Sequence, residues 1–340
     1  MGSFPDLTKN KKKAKMKIQV EWTTIQYDFS DSILCVHRSK DLLAFGLTDS
    51  SVILFSQQLM SKVGVFQGHK GCINDIITDP KTGLFAACSG DGTVSIWDFG
   101  YNDAPFHSQR KGSFSENITS NITLSSQSGP VLCGAWLPDN SHLVTGSGSN
   151  INFWDIGHSQ TPTRIEALNS NVLCMDSSID PSNVAFGAGL YTGEVAFYDT
   201  RVERSVFSVS HSKGQIVSCK FVQGNIPRMV SAGTDKSLRD WDLRFTADSK
   251  RSYDIDHVPT KIDVAQQYVA VPTETSRTRF INLERQSIIP LASMPFSYTV
   301  SSCAFMNDDA SKLMCGSWDG TAAYAQISLN VGEQPQKNRS

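Results

Sequence analysis

Along most of the chain, apolar residues come in short runs separated by polar turns. "SILCVHR", "LLAFGLTD" and "SVILFS" follow one another directly, and "KIDVAQQYVAVPTETSRTRFINL" alternates in the same way much later. Runs this short, bounded by Gly, Asp, Asn and Ser, predict strands rather than helices. The runs are also periodic. "SGDGTVSIWD", ending at Asp98, and "SAGTDKSLRDWDLR", ending at Arg244, are one phrase written twice, and fainter copies recur at intervals of about 40 residues, a period that predicts a radial array of small sheets.

Each clear copy carries the same polar residues at the same spacing. Asp91 precedes Trp97 as Asp235 precedes Trp241 and, more degenerately, as Asp49 precedes Phe55. His69 and His211 stand upstream at similar distances. A tight turn between the second and third strands of a sheet needs an acceptor for its backbone N–H groups, and Asp91 and Asp235 sit there. A carboxylate buried in that place needs partners: a histidine from the preceding loop, a serine on the second strand and an indole N–H on the third. His211, Ser231, Asp235 and Trp241 make one complete set. His69, Asp91 and Trp97 make a partial one, because Ala87 takes the serine's place. A His/Ser/Asp trio also suits a hydrolase, but regular placement inside a repeat marks it as scaffold.

With the Gly68-His69 dipeptide and the Trp-Asp pairs at 97–98, 154–155 and 241–242, the pattern closely resembles the WD-repeat β-propellers. The resemblance implies an all-β fold, a single propeller of about seven four-stranded blades over residues 16–329. Outside that unit, polar and charged composition predicts a disordered basic arm at 1–15, a mobile insertion near 101–127 and a disordered tail at 330–340. The third copy lacks the turn aspartate, the fourth replaces the tryptophan with Tyr198, and the sixth, from about 259 to 297, has none of the signature residues. The seventh has three evident strands, whereas "MKIQVEWTTIQYDF" near the amino terminus has no partner. Residues 16 to 29 are therefore expected to complete the last blade and close the ring.

Composition narrows the classes of function. No run of about 18 apolar residues is present to span a membrane. "MGSFPDLTKN" is too polar for a signal peptide, and Asp6 breaks the myristoylation pattern. Cys35, Cys133, Cys174, Cys219 and Cys303 each fall in a predicted inner strand and no CxxC pair occurs, so reduced thiols and a cytoplasmic or nuclear home are expected. A formal charge of −2 gives the body no nucleic-acid footprint. The lysine run from Lys9 to Lys17 reads as a solvated arm or an import signal, and the sequons at Asn117 and Asn121 as chance matches.

No P-loop, zinc cluster or nucleophile elbow is recognisable, and His37, His107, His142, His158 and His257 share no blade position. The expectation is a non-catalytic platform that binds protein partners, with no cofactor, metal or small-molecule substrate. Two sets of residues are candidates for binding. Trp318, Tyr298 and Tyr191 are expected as exposed aromatics on one face, the alternative being that Trp318 packs over a neighbouring loop. Asp199 with Arg201, and Asp242 with Arg244, form D-x-R boxes in adjacent blades. Propellers that act as substrate receptors of cullin–RING ubiquitin ligases carry similar paired boxes and dock on the ligase adaptor, although such an arginine also serves to pair within its own blade.

Overall fold

A computed structural model describes residues 16–79, 81–97, 117–118, 122–125, 129–138, 142–157, 160–178, 186–199, 201–202, 204–211, 214–224, 226–245, 251–291 and 294–331. Their strands form seven sheets arranged in a ring, each wound outward from the channel. Blade 1 runs Ile33–Ser39, Leu42–Leu47, Val52–Ser56, Ser61–Phe66, and blade 2 runs Ile73–Thr78, Phe85–Ser89, Thr93–Trp97, Ile122–Ser125. Blade 3 is Val131–Trp136, His142–Ser147, Asn150–Asp155, Arg164–Ala167, and blade 4 is Val172–Ser177, Phe186–Leu190, Glu194–Tyr198, Ser205–Ser210. Blade 5 comprises Ile216–Val222, Arg228–Gly233, Ser237–Asp242, Arg251–Asp254, and blade 6 comprises Asp263–Ala265, Tyr268–Pro272, Thr278–Asn282, Ser287–Leu291. Blade 7 takes Val300–Phe305, Lys312–Ser317 and Ala322–Val331 from the end of the chain and its outer strand, Met16–Thr24, from the beginning. That last pairing runs antiparallel from Met16 against Val331 to Thr24 against Ala323.

The core lies between blades rather than within them. Seven apolar clusters each join two neighbours, from Cys35, Phe66, Ile73 and Trp97 between blades 1 and 2 round to Phe29, Phe45, Phe55 and Met314 between blades 1 and 7. The ring is therefore shut twice near the amino terminus. Met16–Thr24 supplies backbone bonds, and Phe29, stacked on Phe55 at 5.5 Å, supplies apolar burial.

Inner-strand geometry repeats closely. In six blades the ladder to the second strand slips beside the inner strand's first residue, at Ile33, Ile73, Val131, Val172, Ile216 and Val300. Such a bulge turns the next side chain toward the neighbouring blade. Where that side chain is Cys35 or Cys174, the residue opposite is Gly46 or Gly189. A Cβ on either glycine would come within 2.5 Å of the sulfur and 2.6 Å of Ile73 or Ile216 in the following blade. A small half-apolar residue facing a glycine is what lets adjacent blades approach this closely.

One open point is answered and one feature was not expected. Blade 6 is a regular four-stranded blade despite lacking the signature residues. Alternation and burial specify it, with Tyr268 stacked on Phe280 at 5.0 Å, and its turn is held by the Thr273 hydroxyl, which meets the Thr275 hydroxyl at 2.8 Å and donates to the Arg277 carbonyl at 2.8 Å. In addition Asn117–Ile118 pairs in parallel with Val65 and Phe66 on the outer edge of blade 1, before the chain supplies the outer strand of blade 2. The lysine run up to Lys15, most of the 101–127 insertion and the tail after Val331 lie outside the described residues.

Candidate functional site

In blade 5 the four expected side chains join into one chain of bonds. The Trp241 indole N–H donates to Ser231 Oγ at 2.7 Å, and Ser231 Oγ lies 2.6 Å from His211 Nδ1. The other ring nitrogen reaches Ser237 Oγ at 3.0 Å and Asp235 Oδ1 at 3.4 Å, and Ser237 donates to Asp235 at 2.8 Å. Burial disfavours the imidazolium and lowers His211 to about 4, against the pull of Asp235, so the ring is neutral at pH 7. A neutral ring accepts from Ser231 and donates toward Asp235, which satisfies every member. Ser231 is fully buried and its oxygen accepts the Trp241 indole N–H, so the hydroxyl is closed to a substrate.

Blade 2 shows the same frame with one piece absent. His69 Nδ1 lies 3.1 Å from Asp91 Oδ2, and Asp91 also accepts from the Lys70 and Thr93 amides and the Thr93 hydroxyl. Burial alone would raise the Asp91 carboxyl, but these donors hold it at about 2. Position 87 is alanine, and His69 Nε2 and Trp97 Nε1 are left buried without a hydrogen-bond partner. The shortened turn of blade 3 shifts the equivalent bond by one residue, from Trp154 Nε1 to Thr145 Oγ1 at 2.9 Å.

Because successive strands are antiparallel, the turns between second and third strands share one face with the loops that enter each blade. We call this the upper face. Trp318 is 53 % exposed there, Tyr298 66 % and Tyr191 55 %. Trp318 and Tyr191 occupy equivalent positions just before the turn, where blades 2 and 5 have Gly90 and Thr234. The loops carrying Trp318 and Tyr298 are bonded together, Trp318 N–H to Thr299 O at 3.1 Å and Ser297 N–H to Asp319 at 3.2 Å. Ser32 Oγ of blade 1 donates to Trp318 O at 2.6 Å. Burial would raise the Asp319 carboxyl, but donors from Thr321, Ser297 and Ser317 hold it below the usual range. The structure therefore groups Trp318 with Tyr298 and sets Tyr191 three blades away.

The lower face carries the turns between first and second strands and between third and fourth. Both D-x-R boxes lie on it with matching geometry. Arg201 donates its amide and Nε to Asp199 Oδ1, each at 2.9 Å, and its Nη2 to Oδ2. Arg244 repeats this on Asp242, with Nε at 2.9 Å and Nη2 at 2.7 Å. The Arg201 side chain bonds to Asp199 and pulls that carboxyl down to about 2. Each arginine thus pairs within its own blade, yet their side chains remain 67 % and 50 % exposed. Val202 and Phe245, the residues that follow, are exposed as well.

Sequence reasoning missed the charged lining of the channel. Inner strands of every blade line a cavity of about 330 Å³ that reaches the lower face through Arg38, Gln223, Gln266 and Asp308. Its polar side chains stitch blades together: the Gly134, Phe221 and Phe305 amides donate to Asp75, Asp176 and Asp263 of the preceding blades. Lys220 pairs with Asp176 at 3.2 Å. Lys261 crosses the channel from blade 6 to blade 2, reaching Asp75 Oδ1 at 2.8 Å and the Asn74 carbonyl. Burial and the Lys220 charge lower His37, which lines the same cavity, to about 4. The legible signal was a charge inside an otherwise apolar run, as in "INDIIT" and "KIDVA". All eight cysteines are free thiols. Among the described residues no group of three or more His, Cys, Asp or Glu is disposed to hold a metal, and no helix is long and apolar enough to cross a membrane.

A family model described as WD domain, G-beta repeat matches residues 60–98 and 119–155. Each match opens on the outer strand of one blade and closes on the Trp-Asp of the next. Pre-mRNA-processing factor 19 of Oryza sativa subsp. japonica is 24 % identical over 293 residues, 84 % of this chain and 52 % of that protein. WD repeat-containing protein 37 of Homo sapiens is 22 % identical over 75 % of this chain and 56 % of its own length. Ribosome biogenesis protein YTM1 of Yarrowia lipolytica is 24 % identical over 55 % of this chain and 44 % of its own. The chain spans about half the length of these relatives.

Proposed function

The chain is a WD-repeat β-propeller, and from that premise we propose that it is a non-catalytic scaffold that presents its upper face to protein partners within a larger assembly. The observation that carries this reading is the pair Trp318 and Tyr298. Both are more than half exposed on loops fixed by backbone and carboxylate bonds, so little conformational entropy opposes docking. The His211, Ser231 and Asp235 trio supports it from the other side, since Ser231 and His211 are buried inside the blade and the serine oxygen is taken by the Trp241 indole. Relatives named for pre-mRNA processing and ribosome biogenesis agree with a role in assemblies. Eight free thiols agree with a cytoplasmic or nuclear setting. The test is purification of the tagged chain from its native cells with mass spectrometry of what accompanies it. The reading expects a fixed set of proteins that Trp318→Ala with Tyr298→Ala loses.

A second reading makes the chain a substrate receptor of a cullin–RING ubiquitin ligase. It is supported by two exposed guanidiniums held alike on adjacent blades of the lower face. On this reading Arg201→Ala with Arg244→Ala abolishes recovery of a cullin adaptor. Retention of an adaptor by that variant counts against it.

A further inference from the structure

Two carboxylates and two ammonium groups line the body of the cavity, Asp75 and Asp263 against Lys220 and Lys261, and a third carboxylate, Asp176, reaches Lys220 from beside the lining. Two of the carboxylates are matched, Asp75 by Lys261 at 2.8 Å and Asp176 by Lys220 at 3.2 Å. Asp263 is not. Among the described residues its bonds come from backbone N–H groups, Phe305 at 2.7 Å and its neighbour Val264; burial raises its carboxyl and the charge of Lys220, already bonded to Asp176, lowers it from a distance, but no lysine or arginine comes within ion-pair reach of it. At the mouth Arg38 and Asp308 pair at 2.7 Å and cancel. With Lys220 held by Asp176, Lys261 by Asp75 and Arg38 by Asp308, the groups at the cavity are one positive charge short at Asp263, and the cavity, about 330 Å³, is large enough for a guest.

The remaining lining describes that guest. Ile77, Leu173, Met175, Val217 and Val264 give the cavity an apolar wall that suits a methylene stem, while Gln223 and Gln266 stand near the opening. We propose that the cavity accepts one organic cation, the ammonium or guanidinium head of an extended alkyl chain, with Asp263 as its counter-ion. A lysine or arginine side chain of a protein partner and a free aliphatic amine share this chemistry. The site opens on the lower face and stands independently of the Trp318 surface, so either can fail without the other.

The test titrates the purified full chain by calorimetry and thermal shift with agmatine, with its neutral counterpart 1,4-butanediol, with inorganic phosphate, and with an acetyl-Gly-Arg-Gly-amide peptide. The expected result is saturable binding of agmatine or the peptide and none of the diol or phosphate. Asp263→Asn, which keeps an acceptor for the Phe305 amide, should weaken binding by about tenfold or more. Lys220→Met removes the cation that competes for the site and should strengthen binding, which keeps the proposal testable even where the Asp263 variant misfolds. Binding of agmatine alone identifies a free amine, and binding of the peptide identifies a partner's side chain. The proposal is overturned by absence of saturation up to about 10 mM of either cation. A preference for phosphate, weaker binding by the Lys220 variant, or an Asp263 variant within about twofold of the parent also overturns it.

Discussion

Blades 2 and 5 are a natural experiment on a single hydroxyl. In blade 5, Ser231 Oγ receives the Trp241 indole N–H at 2.7 Å and meets His211 at 2.6 Å. In blade 2 alanine occupies the same place, and the corresponding nitrogens, Trp97 Nε1 and His69 Nε2, have no partner. Ser231→Ala removes two buried hydrogen bonds and strands a donor and an acceptor, which should cost about 2–4 kcal/mol. Ala87→Ser supplies an acceptor for Trp97 and a donor for His69, and should stabilise by about 1–2 kcal/mol after the hydroxyl's own desolvation. With an unfolding entropy of about 2.1 cal/mol/K per residue over 340 residues, these become a fall in Tm of about 3–6 °C and a rise of about 1–3 °C. Differential scanning calorimetry reads both. Ala87→Val is the control for bulk, since it fills the space without a polar atom and should destabilise. The reasoning fails if Ala87→Ser lowers Tm, or if Ser231→Ala melts with the parent.

Other predictions follow from the same geometry. Deleting residues 1–29 removes the strand Met16–Thr24 together with Phe29, so the truncated chain should lose the parent's cooperative melt; a soluble product with unchanged Tm would contradict ring closure. Phe29→Ala alone should cost about 3–5 kcal/mol in calorimetry, because the ring is fully buried between blades 1 and 7. Gly189→Ala should destabilise by about 1–3 kcal/mol, its methyl meeting the Cys174 sulfur and Ile216. His37 and His211 both titrate near 4 in the folded chain, below the ordinary 6.5, because burial favours the neutral rings. Their contribution is present above the unfolded value and is lost as pH falls from about 6.5 toward 4, each accounting for up to roughly 3 kcal/mol. Tm measured across that interval should fall, and His37→Gln should flatten the decline.

The architecture was legible in the chain because its determinants are local. Strand alternation, turn aspartates and the Trp-Asp pairs repeat at one period, and an unpartnered strand at one end answers a missing strand at the other. Blade 6 read as weak because its signature residues are absent, yet the ring needs only a pleated sheet of matching thickness, which Tyr268, Phe280 and Leu291 supply. Trp318 was legible as an exposed aromatic because the turn aspartate fixes the face on which its neighbour emerges. The charge network of the channel was not legible. Lys261 meets Asp75 only after seven blades have closed, and no local pattern announces a pair so far apart in sequence. The bonding of Asp199 and Asp242 to their own arginines was one of two readings of the boxes, and the structure shows that pairing and exposed guanidiniums together.

The central claim is that Trp318 and Tyr298 anchor a protein partner. Its most direct test is the dissociation constant of the principal co-purifying protein, measured by calorimetry against the parent chain and the Trp318→Ala, Tyr298→Ala double variant. Both side chains are exposed, so the variant should keep the parent's Tm. Its affinity should fall by about 30-fold or more, the loss of about 2 kcal/mol or more expected when an interface anchor is truncated. An unchanged constant, in a variant that melts with the parent, would contradict the account.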